Sequence, residues 1–231
     1  MEAVVLAGGF GTRLRSVVSD VPKPMAPVAG RPFLELLLGS LERKGLQRAV
    51  LAVGHLAQVV VQHFGTRFRG VELCYEIEDT PLGTGGAIMR AFRQCRADTA
   101  LVVNGDTYLD LDLTQVTRHW QRHRTPAIVA LQVPDTARYG RLLIAADGQC
   151  TGFAEKCATG PGAINTGHYY WPTSLLDGHG LPDAFSIESD FLAEALQSQR
   201  FDALMTSGRF IDIGIPEDYA RAQTELADLA M

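Results

Sequence analysis

Short apolar runs alternate with helix-patterned stretches all the way from Ala3 to Asp106, and this alternation limits the fold more than any other feature of the sequence. Residues 3–7 form a β-branched run that stops at Gly8 and Gly9. Residues 49–53 and 100–103 repeat the pattern, and residues 71–77 read as a further strand. Runs with no polar alternation suit strands covered on both faces. Between them, Pro32 opens a stretch in which Phe33, Leu34, Leu37, Leu38 and Leu41 keep helical spacing until Gly45. Residues 55–64 and about 85–95 read as further helices. The order β-α-β-α-β-α-β predicts an α/β fold, a Rossmann-like, mixed but mostly parallel sheet flanked by helices.

The second half is less regular. Residues 128–133 and 142–145 read as strands, and Asp147-Gly148 as a turn into a strand that reaches Phe153. Residues 187–197 and 216–229 read as helices. No Gly/Ser- or Pro-rich linker divides the chain, so a single domain over residues 1–231 is expected. No repeat or low-complexity segment occurs.

Composition excludes several classes. A chain of 231 residues that is 46% apolar can build a core without staples. Its net charge of −5 argues against a nucleic-acid binder, although a few placed cations suffice for a small phosphate ligand. Cys74, Cys95, Cys150 and Cys157 are scattered, with no zinc-type spacing. The N-terminus lacks the basic and apolar regions of a signal peptide, and no apolar run is long enough for a membrane span. A cytoplasmic protein with no membrane partner is expected, and self-association is left open.

The strongest local signal is Leu6-Ala7-Gly8-Gly9-Phe10-Gly11-Thr12-Arg13-Leu14, a strand that runs straight into a glycine-rich turn. Exposed N–H groups in such a turn cradle phosphate or face a base, and Arg13 adds a fixed cation. The dinucleotide fingerprint fails because Leu14 stands where its third glycine is needed, and there is no P-loop. Lys23 follows between Pro22 and Pro24, held in an extended, low-entropy segment suited to presenting a point charge. His119 and His123 share a helix face, but no third metal ligand is placed near them.

The Gly8–Leu14 motif followed by Pro22-Lys23-Pro24 resembles the signature of the sugar-1-phosphate nucleotidylyltransferases. The likeness extends through Thr80-Pro81-Leu82-Gly83-Thr84-Gly85-Gly86, Asn104-Gly105-Asp106, Phe153-x-Glu155-Lys156, Asn165-Thr166-Gly167, Ser186-Ile187-Glu188-x-Asp190 and Asp212-Ile213-Gly214-x-Pro216-Glu217-Asp218-Tyr219. It implies a GT-A-like nucleotidyltransferase fold, with a nucleotide-binding half to about residue 110 and a sugar-phosphate half after it. It implies a nucleoside triphosphate bound by Leu6, Ala7, Gly8, Gly9, Gly11, Thr12, Arg13, Lys23, Glu78, Pro81, Gly83, Thr84 and Asp106. Arg13 and Lys23 are the expected catalytic cations. Tyr139, Gly140, Glu155, Lys156 and Asn165 are expected at the sugar phosphate, a backbone N–H of the Tyr139-Gly140 segment meeting the sugar. Asp106 and Asp212 are expected to hold Mg²⁺, a cation suited to a few carboxylates plus substrate phosphates.

Many members carry Pro and Thr where this chain has Ser16 and Val18, and the Arg15–Asp20 segment is most similar to that of heptose-1-phosphate guanylyltransferases. Glu78 fits guanine, whose adjacent N1–H and N2–H groups a carboxylate can accept together, whereas a uracil face suits an amide better. The reaction implied is transfer of a nucleotidyl group, from GTP for preference, to D-glycero-α-D-manno-heptose 1-phosphate. Mannose-1-phosphate guanylyltransferase and N-acetylmuramate-1-phosphate uridylyltransferase are the alternatives within the class, and a catalytically silent sugar-nucleotide sensor is the alternative outside it. Several relatives append a β-helix of hexapeptide repeats. Nineteen residues follow Asp212 here, so a closing helix alone is expected.

Overall fold

The computed structural model describes residues 1–9, 14, 18, 20–154 and 159–230. The first half builds β1 (Glu2–Leu6), α1 (Phe33–Arg43), β2 (Arg48–Val53), α2 (Ala57–Phe64), β3 (Val71–Ile77), α3 (Gly83–Phe92) and β4 (Thr99–Asn104). The alternation in the sequence is therefore the alternation of the fold. β1 lies parallel between β2 and β4, with Val4 opposite both Val50 and Val102. Side chains alternate along each strand. Ala3, Val5, Leu51 and Leu101 enter one core with α1 and α2. Val4, Val50, Ala100 and Val102 enter a second core, against α3. Burial on both faces is why these strands carry no polar alternation.

The second half adds β5 (Thr107–Leu109), α4 (Leu113–His123), β6 (Ala127–Val133), β7 (Leu142–Ile144), β8 (Cys150–Phe153), β9 (Gly162–Pro172), α5 (Ala193–Ser198), β10 (Asp202–Thr206), β11 (Phe210–Asp212) and α6 (Pro216–Glu225). The main sheet runs β10-β6-β9-β4-β1-β2-β3, with the short strand Arg67–Phe68 outside β3. β9 is antiparallel to both neighbours. β10 and β6 are parallel, as are β4, β1, β2 and β3. The mixed, mostly parallel sheet expected from the sequence is thus present.

Some elements differ from expectation. The helix expected over 187–197 starts as a π-helical turn (Ile187–Leu192) before α5. The one expected over 216–229 breaks after Glu225 into a 3₁₀ turn, Ala227–Leu229. β9 and β10 are not marked by the sequence pattern. β9 carries Asn165, Gly167 and His168 inside it, and its pairing with β6 slips between Asn165 and Tyr169. A strand interrupted in this way has no clean apolar run to read.

The strand order fixes where a ligand can sit. β1 connects to β2 on one side, and β3 then returns to β4 on the other. The crevice outside the carboxyl ends of β1 and β4 is the switch point at which open α/β sheets bind ligands. The antiparallel pair of β5 and β11 sits at the same end, with Thr107 opposite Asp212.

Candidate active site

Each wall of this crevice is set by backbone. β1 ends at Leu6, whose carbonyl accepts the Gly105 N–H at 2.9 Å. A Cβ on Gly105 would stand 2.8 Å from that oxygen, so glycine is required where β4 turns outward. Gly8 lies against Glu78 and Gly54: a Cβ there would meet Glu78 Oε1 and Gly54 N, both at 3.2 Å. Gly83 opens α3 at φ +67°, where a Cβ would come 2.4 Å from the Phe185 carbonyl. The glycines of the Thr80–Gly86 loop thus serve packing as well: Gly85 donates its N–H to Phe185 O at 2.9 Å, and Thr84 Oγ1 accepts the Ile187 N–H at 2.9 Å.

The result is a cavity of about 330 Å³, within the range of small-molecule sites. Of the expected nucleotide residues, Leu6, Gly8, Gly9, Lys23, Glu78, Pro81, Gly83, Thr84 and Asp106 line it. Ala7 does not. Its side chain is buried in the core, and its N–H donates to Ala52 O at 2.7 Å, as a continuing parallel ladder requires. Gly11, Thr12 and Arg13 lie outside the described residues. Pro24 and Asn104, quoted within motifs but given no ligand role, and Ala52 and Ala87 also line the cavity. Three of these four are apolar side chains with no chemical signature.

Lys23 and the two aspartates form the charged end. Lys23, 13% exposed, pairs through Nζ with Asp106 Oδ2 and lies 3.9 Å from Asp212 Oδ1. The Ile213 N–H donates to Asp106 O at 3.0 Å, which ties the two aspartate-bearing segments together. Asp212 Oδ1 also accepts the Gly214 N–H at 2.7 Å. A side chain at Gly214 would crowd that carboxylate, at 2.8 Å. Burial and the nearby Asp106 charge hold the Asp212 carboxyl above the ordinary aspartate range, against the pull of Lys23, the Gly214 N–H and Arg138. Two crowded carboxylates, with the proton affinity of Asp212 raised, are what a divalent cation relieves. A pair of carboxylates, rather than a full protein cage, is the donor set Mg²⁺ accepts alongside substrate phosphates. Among the described residues no group of three or more His, Cys, Asp or Glu side chains is arranged for a metal.

At the other end, Glu78 is pushed above the usual carboxylate range mainly by burial. Its Oε2 accepts the Leu82 N–H at 3.2 Å, which fixes its orientation from the loop that opens α3. A second, smaller cavity of about 210 Å³ shares Gly8, Glu78 and Pro81 with the first and extends to His55.

The expected sugar residues are placed unevenly. Asn165 Nδ2 donates to Tyr169 Oη and to Glu188 Oε1, each at 2.8 Å, and its Oδ1 accepts the Gly167 N–H at 3.0 Å. Asn165 is therefore held by its own strand and by the π-helical turn, and Glu188, quoted within a motif but given no role there, joins it. Tyr139 and Gly140 sit in a turn in which both N–H groups donate to Thr136 O, at 3.1 and 3.0 Å. Both N–H groups thus have an acceptor within the turn. Glu155 and Lys156 lie outside the described residues. His119 and His123 lie with ring centres 5.0 Å apart on α4, with Asp202 at 3.4 Å from His119 Nε2.

The family model described as nucleotidyl transferase matches residues 2–228. A D-glycero-alpha-D-manno-heptose 1-phosphate guanylyltransferase from Aneurinibacillus thermoaerophilus is 38% identical over 227 residues, covering 98% of each chain. One from Campylobacter jejuni is 37% identical and covers 95% of this chain and 97% of its own. The crystal structure of HddC from Yersinia pseudotuberculosis superposes with a TM-score of 0.87 at 38% identity, covering 97% of this chain and 98% of the other. That protein has also been crystallised in complex with GMP-PN, with the same TM-score. A glycine-lined crevice at the switch point and a lysine between two aspartates, on a chain matched almost end to end, make this protein a member of the nucleotidyl transferase family.

Proposed function

We propose that the protein is a sugar-1-phosphate guanylyltransferase that converts GTP and D-glycero-α-D-manno-heptose 1-phosphate into GDP-heptose and pyrophosphate. One observation carries the reading: the fold brings Glu78, Lys23 and Asp106 to one cavity, with Asp212 beside Lys23. That is a base-reading carboxylate at one end and a phosphate-handling charge cluster at the other. The near-full-length likeness to two heptose 1-phosphate guanylyltransferases supports the choice of sugar. The GMP-PN complex of HddC supports the choice of base.

The chemistry needs no protein base. A phosphate monoester has a second pKa of about 6, so its oxygen is already anionic at neutral pH. That oxygen attacks the α-phosphorus, the new P–O bond forms, and the bond to the β-phosphate oxygen breaks as pyrophosphate leaves with its electron pair. What remains for the protein is positioning and charge neutralisation. Lys23, with Arg13 by motif, would hold the triphosphate and the departing pyrophosphate. Asp106 and Asp212 would hold Mg²⁺, which supplies charge neutralisation at the phosphate oxygens when bound. Glu78 would accept N1–H and N2–H of guanine. The nucleotide then occupies the half up to about residue 110 and the sugar phosphate the half beyond. No helix among the described residues is long and apolar enough to cross a membrane, and a cytoplasmic setting, where nucleoside triphosphates are made, suits these substrates. The intact lysine–aspartate cluster favours a catalyst over a silent sensor.

The test is pyrophosphate release from each of the four nucleoside triphosphates paired with heptose, mannose, glucose and N-acetylmuramate 1-phosphates, with Mg²⁺. The expected result is release with GTP and the heptose phosphate at the highest kcat/KM. Release confined to UTP would overturn the role of Glu78. Binding without release for every pair would turn the reading to a sensor.

A further inference from the structure

Two cations, from different halves of the chain, act on the Asp212 carboxyl. Lys23 comes from the first half. Arg138 comes from the second, and its charge acts on the Asp212 carboxyl in the same direction as that of Lys23. Arg138 sits in the turn before β7, with its guanidinium 5.0 Å from the centre of the Tyr139 ring. That ring meets Phe210 edge-on at 5.5 Å, two residues before Asp212 on β11. Arg141, three residues on, bridges to Ile164, the neighbour of Asn165. The turn therefore lies between the Asp212 strand and the Asn165 strand.

Arg138 is held from α6. Its Nη1 stands 2.5 Å from Asp218 Oδ2, and the Asp218 side chain is only 5% exposed whereas that of Arg138 is 43% exposed. Asp218 already has a second partner, Arg221, at 2.7 Å. One guanidinium is enough to neutralise one carboxylate, and a buried ion pair contributes little net stability compared with apolar packing. A second arginine on the same buried carboxylate thus adds little to the fold. It does leave a half-exposed guanidinium, with N–H donors to spare, held over the Tyr139 ring that packs against the Asp212 strand.

We propose that Arg138 binds the phosphate of the incoming sugar 1-phosphate and that Asp218 is the residue that positions it. The inference rests on the sugar-1-phosphate reading above, and it adds a further cation to Arg13, Lys23 and Lys156, the three expected from motif. Arg138 meets the acceptor phosphate from the sugar half of the chain while Lys23 serves the triphosphate, so each reacting partner arrives against its own cation. Asp218 acts only through Arg138.

The test is steady-state kinetics of the wild type, Arg138→Ala, Arg138→Lys and Asp218→Asn, with GTP and Mg²⁺ and with two acceptors, heptose 1-phosphate and mannose 1-phosphate. Arg138→Ala should raise KM for the acceptor at least tenfold and leave KM for GTP within about twofold. The loss should be the same factor for whichever acceptors the wild type uses, because the phosphate is the group they share. Arg138→Lys should recover part of the loss, and Asp218→Asn should shift acceptor KM in the same direction by less. An unchanged acceptor KM in Arg138→Ala, or an equal rise for GTP, overturns the proposal. So does a fall in Tm with unaltered kinetics, the signature of a clamp between the turn and α6. Should Arg138→Ala not fold, Arg138→Lys decides by the same KM split. A wild type that turns over no sugar 1-phosphate would remove the functional reading itself, an outcome separate from a wild type that works and an Arg138 variant that works equally well.

Discussion

Lowering the pH should unlock the fold at His168. This side chain is fully buried on β9, where His168 pairs with Val103 of β4. Its Nδ1 is 3.0 Å from Thr166 O, an acceptor that calls for the proton on that nitrogen in the neutral ring. Burial, with a smaller push from Lys44, lowers its pKa from 6.5 to about 4, against the Thr166 carbonyl and the Asp106 charge. The unfolded chain binds a proton at this residue below about pH 6.5, and the native protein does not until about pH 4. Between those values the unfolded state carries more protons, so stability falls as pH falls. The contribution is complete above pH 6.5 and is lost progressively towards pH 4. A shift of this size corresponds to about 3 kcal/mol, at about 1.4 kcal/mol per pH unit through the window. That is a large share of the ~5–15 kcal/mol that stabilises a typical domain. Urea unfolding of the wild type and of His168→Gln at pH 7, 6 and 5 isolates the residue, since other titrating groups such as His119 cancel in the difference. The wild type should lose stability more steeply than the variant. Parallel pH profiles for the two proteins would refute the reasoning. So would an NMR titration in which the His168 ring protonates near pH 6.5.

Two substitutions at the crevice follow from contacts already described. Lys23→Ala should keep the fold by far-UV circular dichroism and lower kcat/KM by about 10²–10³-fold, the range for loss of one preorganised donor to developing charge; retention of more than a tenth of the activity would remove Lys23 from the catalytic set. Gly85→Ala places a Cβ 2.1 Å from the Phe185 ring, an overpacking that should cost about 1–3 kcal/mol. For a chain of this length each kcal/mol lowers Tm by about 2–4 °C, and Phe185→Leu in the same chain should restore part of the loss in a thermal melt.

How far the sequence could be read depends on which physical signal each element leaves. β1, β2 and β4 are covered on both faces, so they appear as near-unbroken apolar runs, whereas the partly exposed β3 keeps Glu72 and Glu76; their order in the chain implied the parallel sheet and the position of the switch point. β9 leaves no such signal, because it spends Asn165, Gly167 and His168 on a hydrogen-bonded irregularity in the middle of the strand. Lys23, Asp106 and Glu78 were legible because they fall within or beside a series of ordered motifs; alone, a lysine between prolines, an aspartate at a strand end and a carboxylate before a glycine loop each read as a loop or turn residue. Arg138 and Glu188 were not. Each lies inside a quoted or adjoining motif, but only the fold shows that Arg138 shares a buried carboxylate with Arg221 and that Glu188 meets Asn165.

The contacts also explain why the site is built across both halves of a single domain. Asp106 follows β4 and Asp212 ends β11. They become neighbours only because β5 and β11 pair, with Thr107 opposite Asp212. Bringing two carboxylates together costs energy in a partly buried site, as the raised proton affinity of Asp212 records. Lys23 offsets that cost in the protein alone by pairing with Asp106 and standing 3.9 Å from Asp212. The same cation is the one expected to turn to the triphosphate. Its pairing with the aspartates therefore has to be weak enough to exchange, and partial exposure of both carboxylates, 31% for Asp106 and 28% for Asp212, keeps their attraction for Lys23 screened. A fully buried lysine–aspartate cluster would hold the fold more tightly and release the lysine less readily. The half-open crevice at the switch point, with one wall from each half of the chain, is the arrangement that would let one lysine serve both the free protein and the proposed nucleotide.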